Sequence, residues 1–296
     1  MKNSSNYMED NNSMFEPQAE NLLEHIKVER VKNPNPRSAK YYHYHDFYEL
    51  YYMYSGERYY FVKDKTYHVK AGTLVLVKPY DIHYTTNYAK QGYDRHLIWF
   101  SKEYLKELLP MYSGNLFESF NSDISIIKLN LHSQHFVETL FKSMQKEFDE
   151  KKEGYELYLK TSLAQLLIFM NRNRSVLQEN DIDYINSAHK TVSEITAYIN
   201  QNFKEDITLS SISKKFFISS YYLSRIFKKN TGFSFVEYLN SIRIKEAQKL
   251  LIQTENSIAE ISEMVGYNSA THFGRIFKNI TGTSPLLYKK LHKKQN

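Results

Sequence analysis

Cysteine is absent from this chain of 296 residues, which excludes disulfide bonds, cysteine-rich zinc sites and thiol catalysis. Long apolar runs are missing as well, and no segment approaches the length that a membrane span needs. The opening residues, MKNSSNYMEDNNSMF, lack the apolar core of a signal peptide. Together these absences predict a cytoplasmic protein with no membrane partner.

The charge of the chain is unevenly distributed. Hydrophobic residues make up 42% of the sequence, enough for two domains with real cores. From residue 190 onwards there are 16 Lys and Arg against 8 Asp and Glu, a net of +8, whereas residues 1–189 hold 23 against 25, a net of −2. The basic excess in the last third predicts a polyanionic partner such as double-stranded DNA, with a merely solvated surface as the alternative.

An internal repeat lies in this basic part. The segment SRIFKKNTGFS, beginning at Ser224, returns as GRIFKNITGTS from Gly274, an offset of 50 residues. A unit of this length holds about three short helices. In the first copy, Thr208 and Ser219 can cap two helices separated by a turn. The sequence therefore predicts a helix-turn-helix unit.

The second copy follows the same pattern. A capping box from Ser257 to Glu260 opens one helix, Gly266 supplies the turn, and Asn268 or Ser269 starts the next helix. The stretch between the copies has no Gly or Pro and predicts one connecting helix of about 18 residues, spanning about 27 Å. That length would place both units on one side of a duplex, about one turn apart. Pro285 predicts the first residue of a closing helix.

The second helix of each unit has an apolar and a polar face. Leu223, Ile226 and Phe227 share one face of the first helix, and Phe273, Ile276 and Phe277 share that of the other. The remaining positions are candidates for contact with bases and phosphates. These candidates are Ser220, Tyr221, Ser224, Arg225, Lys228 and Lys229 in the first unit, and Ser269, Ala270, Thr271, Gly274, Arg275 and Lys278 in the second.

About 100 residues of this region resemble the DNA-binding domain of the AraC/XylS transcription regulators. The resemblance rests on both repeats, on the pattern Arg243-x-x-x-Ala247-x-x-Leu250-Leu251 and on the Gly-Thr-Ser-Pro ending at Pro285. It implies a homodimeric, sequence-specific activator that works with RNA polymerase. Two departures stand out, because Phe217 replaces a small or polar turn residue and Gly274 removes a side chain from the second contact face. The second unit is therefore expected to contact fewer bases.

The N-terminal half has the pattern of a β-sandwich or barrel. Apolar and polar residues alternate from Tyr41 to Phe100, with turn signals at 55–56, 63–64 and 71–72. The fold class predicted for the whole chain is therefore α+β multidomain. It comprises a cupin-like β-barrel with a helical extension and an all-α C-terminal domain with two helix-turn-helix units.

Within this half, His43-x-His45-x-x-x-Glu49 followed by Gly56 resembles the first cupin motif. The segment from Gly72 through Pro79 to His83 and Asn87 resembles a shortened second motif, with Asp81 in place of a glycine. In metal-binding cupins, the residues at the positions of His43, His45, Glu49 and His83 hold a divalent metal ion. The alternative is that these side chains bond one another or a small polar ligand. No cofactor is predicted to be required, and a metal-dependent cupin enzyme is the alternative function.

Tyrosine is abundant, with 26 residues, many of them between Tyr41 and Tyr93. An interior lined by Tyr, His and Glu could stack on a sugar and bond its hydroxyls, so a carbohydrate is the preferred effector, and other small polar metabolites stay open. The candidate effector-binding residues are His43, His45, Glu49, Tyr51 and His83. Because Tyr is also a good strand former, many of these rings are expected to be structural.

Two amphipathic helices follow, marked by Phe136, Leu140 and Met144 and then by Leu159 and Leu163. They either pair across a dimer or cover their own barrel. The predicted division is an arm at 1–25, a sensor domain at 26–130, a helical region at 131–175, a linker at 176–190 and a DNA-binding domain at 191–296 with units at 207–230 and 257–281. Effector binding is predicted to alter the geometry of the DNA-binding domains.

Overall fold

The computed structural model describes residues 25–34, 45–87, 91–121, 126–173 and 187–293. The N-terminal part is built from antiparallel strands. They are β1 (Ile26–Asn33), β2 (Tyr48–Ser55), β3 (Glu57–Val62), β4 (Lys65–Lys70), β5 (Thr73–Val77), β6 (His83–Asn87), β7 (Tyr93–Phe100) and β8 (Ile126–Lys128). The predicted turns follow β2, β3 and β4, where Gly56, Lys63 and Gly72 adopt positive φ.

The strands form two facing sheets. One has five strands in the order β1-β7-β2-β5-β8, and the other has three in the order β4-β3-β6. The predicted cupin-like fold class is confirmed, but the sheets do not close into one barrel. The physical reason is that, among the described residues, β4 and β6 form no hydrogen-bonded ladder with the larger sheet.

Both faces of the larger sheet are buried. Alternate residues of β2, such as Tyr51 and Met53, pack into the space between the sheets, whereas Leu50 and Tyr52 face the other way. The outer face is covered by α2 (Leu131–Glu150) and α3 (Tyr155–Arg172), after two 3-10 turns and the short α1 (Glu118–Asn121). The two predicted amphipathic helices therefore cover their own sheet, which was one of the two alternatives.

The C-terminal part is helical. Its helices are α4 (Ser187–Asn202), α5 (Leu209–Lys215), α6 (Ser220–Thr231), α7 (Phe235–Gln253), α8 (Ile258–Met264), α9 (Ala270–Thr281) and α10 (Pro285–Lys293). The predicted linker at 176–190 falls largely outside the described residues, and its last positions already belong to α4. In the described segments, no helix has both the length and the apolarity required to span a membrane.

The two parts share a hydrophobic core. Phe61 on β3 and Ile82 before β6 join a buried cluster that also contains Val192, Phe227 and Tyr238 from the helical part. The smaller sheet thus has an inner face toward the larger sheet and an outer face that packs against α4, α6 and α7. This arrangement brings the predicted sensor and DNA-binding domains into direct contact.

Candidate functional site

The first helix-turn-helix unit is α5 and α6. Thr208 and Ser211 form a reciprocal capping box at the start of α5, and the Ser219 hydroxyl accepts a hydrogen bond from the backbone N–H of Tyr222 at 3.2 Å to cap α6. The turn between the helices places Phe217 in the left-handed region, with φ of 55°. The capping positions predicted from the sequence are therefore those that the structure uses.

The second unit is α8 and α9. Ser257 and Glu260 form the predicted capping box, and Ser269 caps α9. Gly266 has φ of 90° in the turn, and a Cβ at this position would lie 2.6 Å from the carbonyl oxygen of Lys204. A glycine is thus required here both by backbone conformation and by the close approach of the chain that follows α4.

The two faces of α6 and α9 separate as predicted. Phe227 and Phe277 are fully buried, whereas Arg225 and Arg275 are exposed on the opposite side. The other exposed candidates are Tyr221, Ser224, Lys228, Lys229, Ser269, Ala270, Thr271 and Lys278. Ser220 is half-buried because its hydroxyl bonds that of Ser213 at 2.8 Å, and Gly274 is also half-buried. A basic, polar surface is left free on each second helix.

Several exposed side chains on this side of the molecule were not selected from the sequence. Tyr222 and His272 occupy matched positions in the repeat and are both exposed, with Tyr222 at 46%. Lys214 and Lys215 are exposed at the end of α5. Comparing the two copies position by position could have identified the Tyr–His pair. The lysines carry no such signal, because solvated lysines are common at helix ends.

Helix α7 connects the units and is held by Arg243. The 19 residues of this helix span about 28 Å, as predicted. The Arg243 guanidinium donates from Nε to the carbonyl oxygen of Phe203 and from Nη2 to that of Glu205, both at 2.8 Å. It also lies over the Tyr267 ring, 5.3 Å from the centroid. One side chain therefore links the end of α4, the middle of α7 and the turn of the second unit.

Two family models match this chain. A helix-turn-helix domain matches residues 212–290, and an AraC-like ligand binding domain matches residues 25–167. The chain belongs to the AraC family of transcriptional regulators. It is therefore a DNA-binding regulator with a ligand-binding domain, and the alternative of a cupin enzyme is not supported.

Relatives of this AraC-family regulator span most of its length. The uncharacterized HTH-type transcriptional regulator YfiF of Bacillus subtilis is 26% identical over 257 residues, 85% of this chain and 79% of YfiF. The HTH-type transcriptional activator RhaS of Salmonella arizonae is 25% identical over 259 residues, 84% of this chain and 87% of RhaS. The bifunctional transcriptional activator/DNA repair enzyme AdaA of Bacillus subtilis is 39% identical over 102 residues, 34% of this chain and 48% of AdaA.

The ligand-binding domain brings three of the predicted effector residues together. In the buried cluster of His45, Glu49 and His83, the candidate metal-binding atoms all lie within 4.8 Å of one another. His45 Nε2 is 3.2 Å from Glu49 Oε2, and His83 Nε2 is 3.6 Å from the same oxygen. Tyr60 and Trp99 also donate to the Glu49 carboxylate, at 3.0 and 2.7 Å. The fourth candidate ligand, His43, lies outside the described residues.

The charges of this cluster are coupled. Burial opposes ionisation of Glu49, but the hydrogen bond from His45 and the charge of His83 lower its pKa well below the usual range. Burial also disfavours the charged form of His83, yet bonding to Glu49 raises the pKa of His83. Burial lowers the pKa of His45. The cluster thus holds an ionised carboxylate against His83, the more basic of the two imidazoles.

The donor set fits a divalent metal ion. Nδ1 of His45 lies 3.0 Å from the carbonyl oxygen of Phe47, and Nδ1 of His83 lies 2.9 Å from that of Asp81. Both Nε2 atoms therefore point at Glu49, the orientation that metal-binding imidazoles adopt when a backbone carbonyl oxygen accepts a hydrogen bond from Nδ1. His45, Glu49 and His83 would hold the ion, which would act there as a Lewis acid toward a polar effector group. The metal stays an alternative prediction to the hydrogen-bonded cluster.

The fifth candidate, Tyr51, is fully buried between the sheets. Its hydroxyl lies 3.9 Å from the sulfur of Met53, and burial raises its pKa to about 12. Tyr51 also lies against the Arg95 guanidinium, which is 5.4 Å from the ring centroid. Its ring therefore forms part of the interior surface between the two sheets.

Asp81, which replaces a glycine of the cupin motif, makes a contact between the two parts of the molecule. Its carboxylate accepts a hydrogen bond from Lys245 Nζ on α7 at 2.9 Å and is almost completely buried. Nearby, Thr196 donates to the carbonyl oxygen of Asp64 and Tyr238 to that of Lys63, at 2.8 and 3.0 Å. The β3–β4 turn and the segment before His83 thus lie directly against the DNA-binding part.

Proposed function

We propose that this AraC-family regulator is a sequence-specific activator that reads two successive major grooves with α6 and α9 under the control of a small polar effector. The observation that carries the proposal is the duplicated helix with a buried apolar face and an exposed basic face, Arg225 in one copy and Arg275 in the other. Arginine can bind guanine or phosphate through two hydrogen bonds at once. A DNA target agrees with the cytoplasmic setting that the sequence predicts.

Each exposed residue has a role that its chemistry suits. Arg225 and Arg275 are proposed to contact bases, and Lys228 and Lys278 to contact phosphates. Tyr221 and Thr271 can touch a thymine methyl group. Gly274 presents no side chain, so the second unit is proposed to contact fewer bases than the first.

Control by an effector is proposed to run through the contact between domains. His83 is bonded to the backbone of Asp81, and the Asp81 side chain is bonded to Lys245 on the helix that connects the two DNA-binding units. A ligand that shifts His83 therefore acts two residues away from the ion pair between Asp81 and Lys245 of α7. Coupling energies of about 1 to 3 kcal/mol, typical of allosteric proteins, correspond to changes of roughly 5-fold to 150-fold in DNA affinity.

The effector class predicted from the sequence is a carbohydrate. Inward-facing rings such as Tyr51 and Tyr60 support this proposal, because a sugar can stack on them. Their hydroxyls already contact Met53 and Glu49, so other side chains must provide much of the polar recognition. The homodimer and the contact with RNA polymerase remain predictions, and the name of the activator RhaS favours activation.

Footprinting of the full-length protein on the DNA upstream of its own gene tests the proposal. We expect two protected segments about one helical turn apart and binding that weakens steeply with salt. Arg225→Ala and Arg275→Ala should each reduce affinity by about 1–3 kcal/mol. Arg172→Ala is the matched control, because Arg172 is an exposed arginine on α3 in the other domain. Equal affinity of all three variants for every duplex would contradict the proposal.

A further inference from the structure

Two arginines lie on the inner surfaces of the facing sheets. Arg58 on β3 alternates with Tyr60 and Val62, and Arg95 on β7 alternates with Tyr93 and Leu97, all four of which belong to the interior cluster. Arg58 is only 2% exposed. Both guanidinium groups lie against the Tyr93 ring, with their central carbons 4.5 and 5.3 Å from its centroid.

Neither arginine forms a salt bridge among the described residues, although the charge of Glu49 acts on Arg95 from a distance. The Nε atoms of Arg58 and Arg95 are buried without a hydrogen-bond acceptor. The Nη2 of Arg58 donates to Thr85 Oγ1 at 3.4 Å, and the other hydrogen-bonding neighbours of the two guanidinium groups are the uncharged hydroxyls of Tyr93 and Tyr51. Burial lowers the pKa of Arg58. By contrast, Arg30 on the outer side of the same sandwich pairs with Asp94 through two bonds of 2.9 and 3.0 Å.

Among the described residues, the inner surfaces therefore hold more positive than negative charge. Glu29 and Glu49 lie on the inner face of the larger sheet. Glu29 is already paired with Lys27 at 3.4 Å, and the oxygens of Glu49 accept hydrogen bonds from Tyr60 and Trp99. Two neighbouring guanidinium groups, one buried and one half-buried, that face a carboxylate already engaged by other donors are costly unless an anion joins them.

We infer that Arg58 and Arg95 bind the oxyanion group, carboxylate or phosphate, of a small metabolite held between the two sheets. Planar guanidinium groups match the oxygens of both groups through paired hydrogen bonds. This inference rests on the proposed function and names the chemical class of its effector. A sugar acid or a sugar phosphate would combine stacking on the tyrosines with neutralisation of the arginines, whereas a neutral sugar would leave both charges unpaired.

Thermal unfolding of the full-length protein tests the site. Acetate and inorganic phosphate are the headgroup probes, each compared with chloride at matched ionic strength. Arg58→Gln and Arg95→Gln are the variants, and Arg30→Gln is the matched control because it removes a paired arginine from the same sandwich. All variants keep the same DNA-binding surface, so phosphate binding there affects them equally. We expect the wild type and Arg30→Gln to be stabilised by an oxyanion and the other two variants to lose that shift.

Calorimetric titrations then distinguish the sources of the oxyanion. Glucuronate, glucose 6-phosphate and neutral glucose share one ring, so tighter binding of either charged form identifies its headgroup. Removing either arginine should weaken that binding by about 30-fold or more, as truncation of one partner in a buried charge pair does. The inference is overturned if the oxyanion shifts are identical in all variants, or if glucose binds as tightly as its charged forms.

Failure of this inference can be told apart from failure of the proposed function. DNA binding by the same preparations is measured in parallel. If the Gln variants bind DNA like the wild type and all respond equally to oxyanions, the anion site is wrong and the regulator stands. If the wild type binds no duplex, the DNA-reading role of α6 and α9 is wrong, whatever the oxyanions do.

Discussion

His96 is a buried side chain that makes the stability of the protein depend on pH. It is fully buried on the outer face of β7, where its Nε2 donates to Gln145 Oε1 at 2.8 Å and its Nδ1 accepts from the Tyr54 hydroxyl at 3.2 Å. Burial lowers its pKa to about 4 from the ordinary value of 6.5. The folded protein therefore keeps His96 neutral under conditions where the unfolded chain protonates it.

The lowered pKa of His96 makes the protein less stable as the pH falls. As the pH falls from about 6.5 to about 4, the unfolded state binds a proton that the folded state rejects, so the free energy of unfolding falls by about 3 kcal/mol. Below about 4 both states are protonated and the loss ends. We expect His96→Gln to remove this contribution from the stability profile measured by urea denaturation. A wild-type profile with the same slope as the variant across this window would show that His96 is not responsible.

The turns of the two helix-turn-helix units make a second comparison at the scale of single residues. Phe217 and Gly266 each follow the C-cap of a unit's first helix, and both have positive φ. Phe217 is 94% exposed, so packing of its side chain does little to offset the strain of its left-handed backbone. At Gly266 there is no such freedom, because a Cβ added there would lie 2.6 Å from the carbonyl oxygen of Lys204.

Substitutions at these two turns should have opposite effects on stability. Phe217→Gly is expected to raise the free energy of unfolding by about 0.5–1 kcal/mol, because glycine adopts this conformation without strain. Gly266→Ala is expected to lower it by more than about 1 kcal/mol, through both strain and the clash. Chemical denaturation of both variants checks the pair, and destabilisation by Phe217→Gly would contradict the first expectation.

At the scale of elements, α7 is the helix on which the geometry of the DNA-binding part depends. Its N-terminus is a capping box formed by Ser234 and Glu237, and Arg243 in its middle bonds the residues after α4 and stacks on Tyr267. The two units therefore do not turn freely about α7. Their spacing is a property of this helix together with one arginine.

Replacing Arg243 should lower the stability of the protein and allow the spacing of the two helix-turn-helix units to vary. Arg243→Lys keeps the charge but loses the planar fork that reaches two carbonyl oxygens at once, so the free energy of unfolding should fall by about 1–3 kcal/mol. Arg225→Lys, an exposed change on α6, should alter it by less than about 0.5 kcal/mol. Urea denaturation measures both. Equal stability of the two variants would show that the bonds of Arg243 are dispensable.

At the scale of the whole molecule, sensor and DNA-binding parts meet through a mixed core and an ion pair. Phe61 and Ile82 supply apolar contacts, and Asp81 and Lys245 supply the charged one. Asp81 is 2% exposed, so its carboxylate depends on this lysine for compensation. The contact is therefore sensitive to the charge at either end.

A double-mutant cycle measures this contact. Lys245→Met should lower the free energy of unfolding by about 1–3 kcal/mol, because it leaves a buried carboxylate without its cation. Adding Asp81→Asn should recover part of the loss, since the buried group is then neutral. Lys249→Met is the control, because Lys249 pairs with Glu246 on the same helix. Additive effects of the two substitutions would show that the residues do not interact in solution.

The helix-turn-helix units could be predicted almost completely from the sequence. Capping at Thr208, Ser219 and Ser257, the turn at Gly266 and the buried face around Phe227 and Phe277 are local relations between residues a few positions apart. Such a repeated local pattern can be recognised in the sequence because helix geometry places residues three and four apart on one face. The apolar pattern of the connecting helix is less regular, because Val236 near the start of α7 is 61% exposed.

The sensor part depended on contacts that no local pattern contains. The cupin spacing indicated His45, Glu49 and His83, and the structure brings them together, but the partners of Glu49 come from β3 and β7. Asp81 was a departure from a motif in the sequence, and only folding places it against Lys245, 164 positions away.

The sequence by itself determined the helix-turn-helix pattern, the family and the exposed basic face of α6 and α9, because these follow from short-range periodicity and charge. Tertiary structure alone decided that the strands form two sheets, that Arg58 and Arg95 share one tyrosine ring, and that the sensor contacts α7. The physical reason is that side-chain alternation assigns a residue to a face of a strand but does not say which distant strand that face will meet.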